Sequence, residues 1–507
     1  MPKWWLWAVF AGFALSFCTW VFASPLMSSP DEPAHIIRAA SVWHGQWGGP
    51  KVLLPPDPAA PGLDIYATEV EVPRYYARSG EIPGCWAGQP SIGADCAPEV
   101  EADDDLVDSV TTAGVYTPLY YSLVGWPSQL TASGLGVYLM RITSALLCAG
   151  LVTLAVAALG RILDPKLALL AVWVAATPMV HFLAGSVNPN GLETCAAIAA
   201  WAAVLALLTK AASGELDRFA LWSFVGAAVV LVPSRTLSPA YLLVAVVAAA
   251  AFSGLDAVRF LVRQKMVWVG AAVVGVVALL TLLWARAADQ VGSISGGYAP
   301  DNENIIIWLS AGIDDWVRQM ISVFGWLDTG PVVITLALWL AVVVALVVFG
   351  AMWGRPWRVA GLACLVFGSL VLPVVIQAPV AAEHGIAWQG RYLLPVAVGI
   401  PLMAMLTADD PGLASRLPLR RLGGLVLVST GAALVVAHIV SMQRYVTGIL
   451  EGPAQIQNYI GADGWNPPIP KLLLLLVALA AALWPIAVLF AARREAPKAS
   501  VEAANEA

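Results

Sequence analysis

The chain has 507 residues and a net charge of −6; 59% of it is hydrophobic and 12% charged, about half the charged share of a typical soluble domain. That balance excludes an ordinary soluble domain, and the acidic excess argues against a nucleic-acid partner. Apolar stretches long enough to cross a bilayer core of about 30 Å recur along the chain and predict an all-α polytopic membrane protein.

The first span is expected at 4–23, behind Lys3. It ends in the small residues Ala23 and Ser24, yet its apolar run is longer than a signal-peptide core, so it reads as a retained anchor. Further spans are expected near 136–158, 166–184, 190–210, 217–232, 236–253, 265–285, 331–350, 357–378, 391–407, 421–441 and 470–492, twelve with the first. The segments at 217–232 and 236–253 are short enough to be half-buried helices. Arg161, Lys166, Lys210, Arg218, Arg259, Arg263, Lys265, Arg355, Arg358, Arg416, Arg420, Arg421, Arg493, Arg494 and Lys498 then fall on one side together with Lys3. By the positive-inside rule that side is cytoplasmic, with both termini on it, which fits a bacterial cytoplasmic membrane.

Residues 24–135 are too long for a connector and predict an acidic extracytoplasmic domain. Its start reads as a helix from Pro33 to Trp47, with Ile36, Ile37, Ala40, Trp43 and His44 at helical spacing. The stretch 49–98, rich in Pro and Gly, reads as mostly irregular. Cys85 and Cys96 within it are expected to form a disulfide on the oxidising side; Cys18, Cys148, Cys195 and Cys364 read as small core residues of the spans. The run Glu99 to Asp108 reads as a solvated face, and Tyr116 to Leu130 as an interface helix. Spans two to seven occupy 136–285. A second extracytoplasmic segment, 286–330, carries Ile305, Leu309, Ile313, Trp316, Val317, Met320 and Phe324 at helical spacing, which predicts an amphipathic helix on the membrane or packed on the domain. Spans eight to twelve occupy 331–492, and 493–507 form a cytoplasmic tail.

Polar residues gather at the extracytoplasmic ends of the spans. Pro30-Asp31-Glu32-Pro33-Ala34-His35, with Arg38 a turn later, sets two carboxylates and an imidazole at the end of the first span. They suit a general base or a metal site; equally, Asp31 or Glu32 would cap the following helix. Ser186-Val187-Asn188-Pro189-Asn190-Gly191 leads to Glu193 inside a span, where a carboxylate marks either a site or a packed ion pair. Arg235, and Arg391 in Gln389-Gly390-Arg391-Tyr392 behind Glu383 and His384, break the positive-inside bias. A phosphate matches the guanidinium fork; snorkelling to headgroups or a salt bridge to the acidic domain would serve as well. His181 and His438 read as satisfied core residues.

At the segments PDEPAH, VNPNGLE and WQGRYLLP the chain resembles an uncharacterised family of bacterial membrane proteins, over most of its length. That family is similar in architecture to the GT-C superfamily of glycosyltransferases. The resemblance implies a sugar donor linked to a polyprenyl phosphate and a glycan or lipid acceptor in the cell envelope. It implies a catalytic acidic residue in the first long extracytoplasmic loop, here Asp31 with Glu32 beside it, and Arg391 and Arg235 for the donor phosphate. His35, Arg38, Asn188, Asn190, Glu193, His384, Gln389 and Tyr392 would support these or bind substrate. The motif here is PDE rather than paired aspartates, so a divalent metal, Mg or Mn, stays open. The alternatives are a secondary transporter or lipid flippase, for which twelve spans are common but internal repeats are expected, and a non-catalytic partner in envelope assembly.

Overall fold

The computed structural model describes residues 3–56, 62–289, 294–296, 305–381, 388–407, 419–448, 460–461 and 463–491. Helix α1 (Lys3–Ala23) runs into a short turn and then α2 (Glu32–Trp43), whose Pro33 sits in the first turn, where a missing N–H has no cost. After α2 comes a small antiparallel sheet in place of irregular chain. β1 (Lys51–Leu53) and β3 (Leu106–Thr111) both pair with the long β2 (Leu63–Pro73). A distant strand, β4 (Ile294–Gly296), pairs with the start of β2. The pattern behind β2 is a period of two: Val70 and Val72 are buried while Glu69 and Glu71 face out.

The acidic run is more than a solvated face. Arg74, in α3 (Arg74–Ala77), donates to Asp103 at 2.6 Å and to Asp105 at 3.3 Å. The expected interface helix is also revised. It shortens to α4 (Leu119–Val124), which packs on α2 with Tyr120, Tyr121 and Val124 buried, and Trp43 Nε1 donates to the Ser122 carbonyl at 3.0 Å.

The helical body begins with α5 (Gly134–Leu159), α6 (Pro165–Ala175), α7 (Pro178–Ala184) and α8 (Pro189–Ala212). Helix α8 is buried from Pro189 to Leu208, because Ala196, Ala197, Ala199, Ala200, Ala202 and Ala203 let neighbouring backbones approach closely. There follow α9 (Arg218–Leu231), α10 (Ser238–Ser253), α11 (Leu255–Val262), α12 (Lys265–Ala287), α13 (Ile305–Ala311), α14 (Ile313–Gln319), α15 (Val333–Trp353) and α16 (Pro356–Gln377). Last come α17 (Leu394–Ala397), α18 (Gly399–Thr407), α19 (Leu419–Thr447) and α20 (Lys471–Ala491).

Among the described residues, nine helices are long and apolar enough to cross a membrane, or eleven if each of two bent pairs counts as one span. Eleven of the twelve expected spans are met on that count, and the twelfth, expected at 217–232, coincides with the shorter apolar helix α9. The span expected at 166–184 bends by 78° between α6 and α7, because Pro178 lacks an N–H and disfavours helix at Thr177. The 115° bend between α10 and α11 falls at Gly254, with φ +92°, a conformation open to glycine. Helix α9 has only 14 residues. The single amphipathic helix expected near 305–324 is two short ones, α13 and α14, with Leu309 and Trp316 buried and Ile306, Ile307 and Trp308 exposed.

Cys85 and Cys96 are disulfide-bonded. Their loop is held on the helical body by the fully buried Arg444 of α19, which donates to the carbonyls of Trp86 (2.8 Å), Gln89 (3.1 Å) and Ile92 (2.7 Å) and to Asp328 (2.9 Å).

Candidate functional site

Asp31 stands at the N-cap of α2 with φ +63° and ψ 4°, a left-handed conformation that Asp visits more readily than most residues. Its side chain makes no capping bond, so the cap reading fails. The carboxylate is instead half exposed and accepts from Arg391 Nη2 at 2.7 Å.

Arg391 sits in a tight turn, Gly390–Leu393, ahead of α17. The turn is pinned to α14, where the Gly390 N–H donates to Gln319 Oε1 at 2.7 Å. Only glycine fits at 390, since an added Cβ would overlap the Trp316 carbonyl. The Arg391 side chain is 4% exposed, and its Nε and Nη1 have no hydrogen-bond partner. A buried guanidinium with two donors unpartnered in the protein can hold an anion.

Arg235 comes to the same wall from the loop before α10. It donates to Asn190 Oδ1 at 2.7 Å and to the Tyr116 hydroxyl at 3.3 Å. Its guanidinium carbon lies 4.6 Å from the Tyr392 ring centroid, and that of Arg391 lies 5.2 Å from the same ring. Tyr392 thus gathers both arginines, although they are 156 positions apart (391 − 235).

Glu32 differs from its neighbour. It is fully buried and takes a fork from Arg141 of α5, Nε at 2.8 Å and Nη2 at 2.5 Å, together with the Val187 N–H at 2.9 Å. Arg141 also donates to the carbonyls of Val21, Ser24 and Pro25. The expected second reactive carboxylate is therefore a clamp joining α1, α2, α5 and the approach to α8. Asn188 reinforces it: its Oδ1 caps α8 at the Asn190 N–H, and its Nδ2 donates to Ser29 Oγ and the Pro30 carbonyl.

The remaining candidates divide. Glu193 Oε1 accepts from Ser238 at 2.6 Å, while its Oε2 and Asn190 Nδ2 are buried without a partner, so both keep polar atoms free beside Arg235. Gln389 also keeps a buried Oε1 without a partner. Arg38 donates to the backbone carbonyls of Gln46, Trp47 and Tyr116 and is a staple rather than a substrate ligand. His35 Nδ1 lies 2.9 Å from the Tyr121 hydroxyl; burial lowers its pKa to about 3, against the raising effect of Asp31. It is a neutral, packed imidazole. Glu383 and His384 lie outside the described residues.

His181 and His438 are not satisfied core residues. They line one small cavity with Ser16 and Thr19, and His181 Nε2 and both His438 nitrogens lack partners. Among the described residues no three His, Cys, Asp or Glu side chains gather as metal ligands. With Asp31 turned to Arg391 and Glu32 to Arg141, the carboxylate pair does not fit a shared Mg or Mn seat.

Sequence reasoning missed Arg141, although an arginine inside the span expected at 136–158 carries the same signal as Glu193. It also missed Tyr116 and Ser238, polar groups that carry no signal until the fold places them.

Residues 13–400 match the model of a family described as "Predicted membrane protein (DUF2142)". The chain belongs to that family. The matched stretch contains Asp31, Glu32, Arg141, Asn188, Glu193, Arg235 and Arg391, so the whole wall lies within the family's own region. No curated protein matches the chain.

Proposed function

We propose that the protein is a GT-C-like membrane glycosyltransferase of the bacterial cytoplasmic membrane. It moves a sugar from a polyprenyl-phosphate-linked donor to a glycan or lipid acceptor on the side of the β-sheet domain. The observation that carries this reading is the Asp31–Arg391 pair: a half-exposed carboxylate 2.7 Å from a buried guanidinium that still has open donors.

In this mechanism Asp31 takes the proton from the acceptor hydroxyl as its oxygen attacks the anomeric carbon. The bond from that carbon to the phosphate oxygen breaks, and the lipid phosphate leaves as an anion held by Arg391 and Arg235. A single displacement inverts the anomeric centre. Glu193, Asn190 and Gln389, with polar atoms lacking a partner, supply contacts for sugar hydroxyls. Glu32, Asn188 and Arg38 hold the backbone that carries Asp31.

The test is transfer of radiolabelled sugar from a polyprenyl-phosphate sugar to envelope acceptors by the purified protein in lipid. Time-dependent transfer that is lost in Arg391→Gln supports the reading; no transfer from any polyprenyl-phosphate sugar by folded wild-type protein contradicts it.

A further inference from the structure

A cavity of about 320 Å³ opens among α6, α14, α15, α16 and the α17–α18 segment. Its wall includes Val174, Met320, Trp339, Val343, Val366 and Leu394, and is apolar apart from Thr177 and Ser369. Trp339 Nε1 donates to the Val174 carbonyl at 3.2 Å and fixes the back. Val344 and Val348, 51% and 49% exposed, put one side toward the surrounding lipid.

The groove and the arginine site are built from the same chain segments. A small cavity beside Arg391 is lined by Pro30, Met179, Gln319 and Val323. Three chain segments line both spaces at positions one to three residues apart: Thr177 and Met179, Gln319 and Met320, Arg391 and Leu394. One wall of the apolar groove, at Leu394, therefore follows by three residues a buried guanidinium with two donors open. A hydrocarbon chain with an anionic end matches both features. The volume, at the low end of small-molecule sites of roughly 300–1,000 Å³, favours one chain over two.

We infer that the groove seats the chain of a single-chain lipid phosphate whose phosphate rests on Arg391. This builds on the glycosyltransferase reading, because it gives the leaving lipid phosphate its place, but it is a statement about binding and is tested without sugar.

Binding of farnesyl phosphate to the purified protein is measured against farnesol, inorganic phosphate and the two-chain phosphatidic acid. Val343→Trp and Val366→Trp, which fill the groove away from Arg391, should each weaken farnesyl phosphate by about tenfold, the equivalent of roughly two buried methylene groups. Inorganic phosphate should bind these variants as it binds wild type, and Arg391→Gln should bring farnesyl phosphate down to the level of farnesol. Folded groove variants that bind farnesyl phosphate like wild type, or phosphatidic acid competing as well as farnesyl phosphate, would overturn the assignment. Should both variants fail to fold, a photoreactive farnesyl phosphate decides on wild-type protein: adducts on Val343, Val366 or Leu370 support the seat, and adducts elsewhere refute it. Binding without sugar transfer would sink the enzyme reading and leave the groove standing. Sugar transfer that the groove variants leave unchanged would do the reverse.

Discussion

Arg391 and Asp31 lie 360 positions apart in the chain and meet at 2.7 Å, one buried and the other half exposed. The guanidinium holds the carboxylate by Nη2, while Nε and Nη1 have no partner in the protein. One guanidinium that touches the proposed base and keeps donors for the proposed phosphate is the relation on which the proposed chemistry rests.

Replacing Arg391 by Lys should keep a positive charge near Asp31 but lose the fork. Hydrogen bonds to charged groups contribute about 1.5–3 kcal/mol, so kcat/KM for sugar transfer should fall by about 10- to 100-fold. Steady-state kinetics with the polyprenyl-phosphate donor check this, and a variant within twofold of wild type would show that a point charge suffices.

Glu32→Gln should act on stability. Arg141 would keep its charge, fully buried, without its counter-charge, and breaking such a pair typically costs about 3–5 kcal/mol. Thermal unfolding in detergent should show a large drop. Removing both partners, Glu32→Leu with Arg141→Met, should regain only part of it, because the Val187 N–H still loses its acceptor.

His35 gives the folded protein an acid weakness. Its pKa in the fold is about 3, against about 6.5 in an unfolded chain. Between these values the unfolded chain binds the extra proton, so the stabilisation present above about pH 6.5 declines on acidification by up to about 1.4 kcal/mol per pH unit. Unfolding midpoints between pH 7 and 4 should fall more steeply for wild type than for His35→Gln, which cannot take the proton; equal slopes would contradict the assignment.

Opening the Cys85–Cys96 disulfide by Cys→Ser at both positions should cost about 2–3 kcal/mol in the chain-entropy view. Because Arg444 holds the loop through its carbonyls, the loop should stay docked. Protease sensitivity of residues 83–97 measures this, and rapid cleavage in the variant would show that the disulfide, not Arg444, does the docking.

Much of the architecture was legible because lipid imposes a simple rule: long apolar runs become spans, and α1, α5, α8, α12, α15, α16, α19 and α20 follow the expected positions closely. Hydropathy does not show the bends that proline and glycine impose, at Pro178 within the span expected at 166–184 and at Gly254 after α10. β2 is hidden in the sequence because its period-two alternation lies within a stretch rich in Pro and Gly. In the site, Arg235 and Arg391 were legible as charges out of place, and Asp31 as one of two carboxylates beside an imidazole at the end of the first span. The different fates of Asp31 and Glu32 were not, since adjacent residues diverge only once the left-handed turn at Asp31 aims one carboxylate at Arg391 and the other at Arg141.

The central claim, that Asp31 is the base, is tested most directly by Asp31→Asn. The amide keeps the shape and can still accept from Arg391, but cannot take a proton from the acceptor. Sugar transfer from a polyprenyl-phosphate donor should fall by about 10²–10⁴, with the unfolding temperature and binding of farnesyl phosphate little changed. A folded Asp31→Asn protein that transfers sugar at near the wild-type rate would contradict the account.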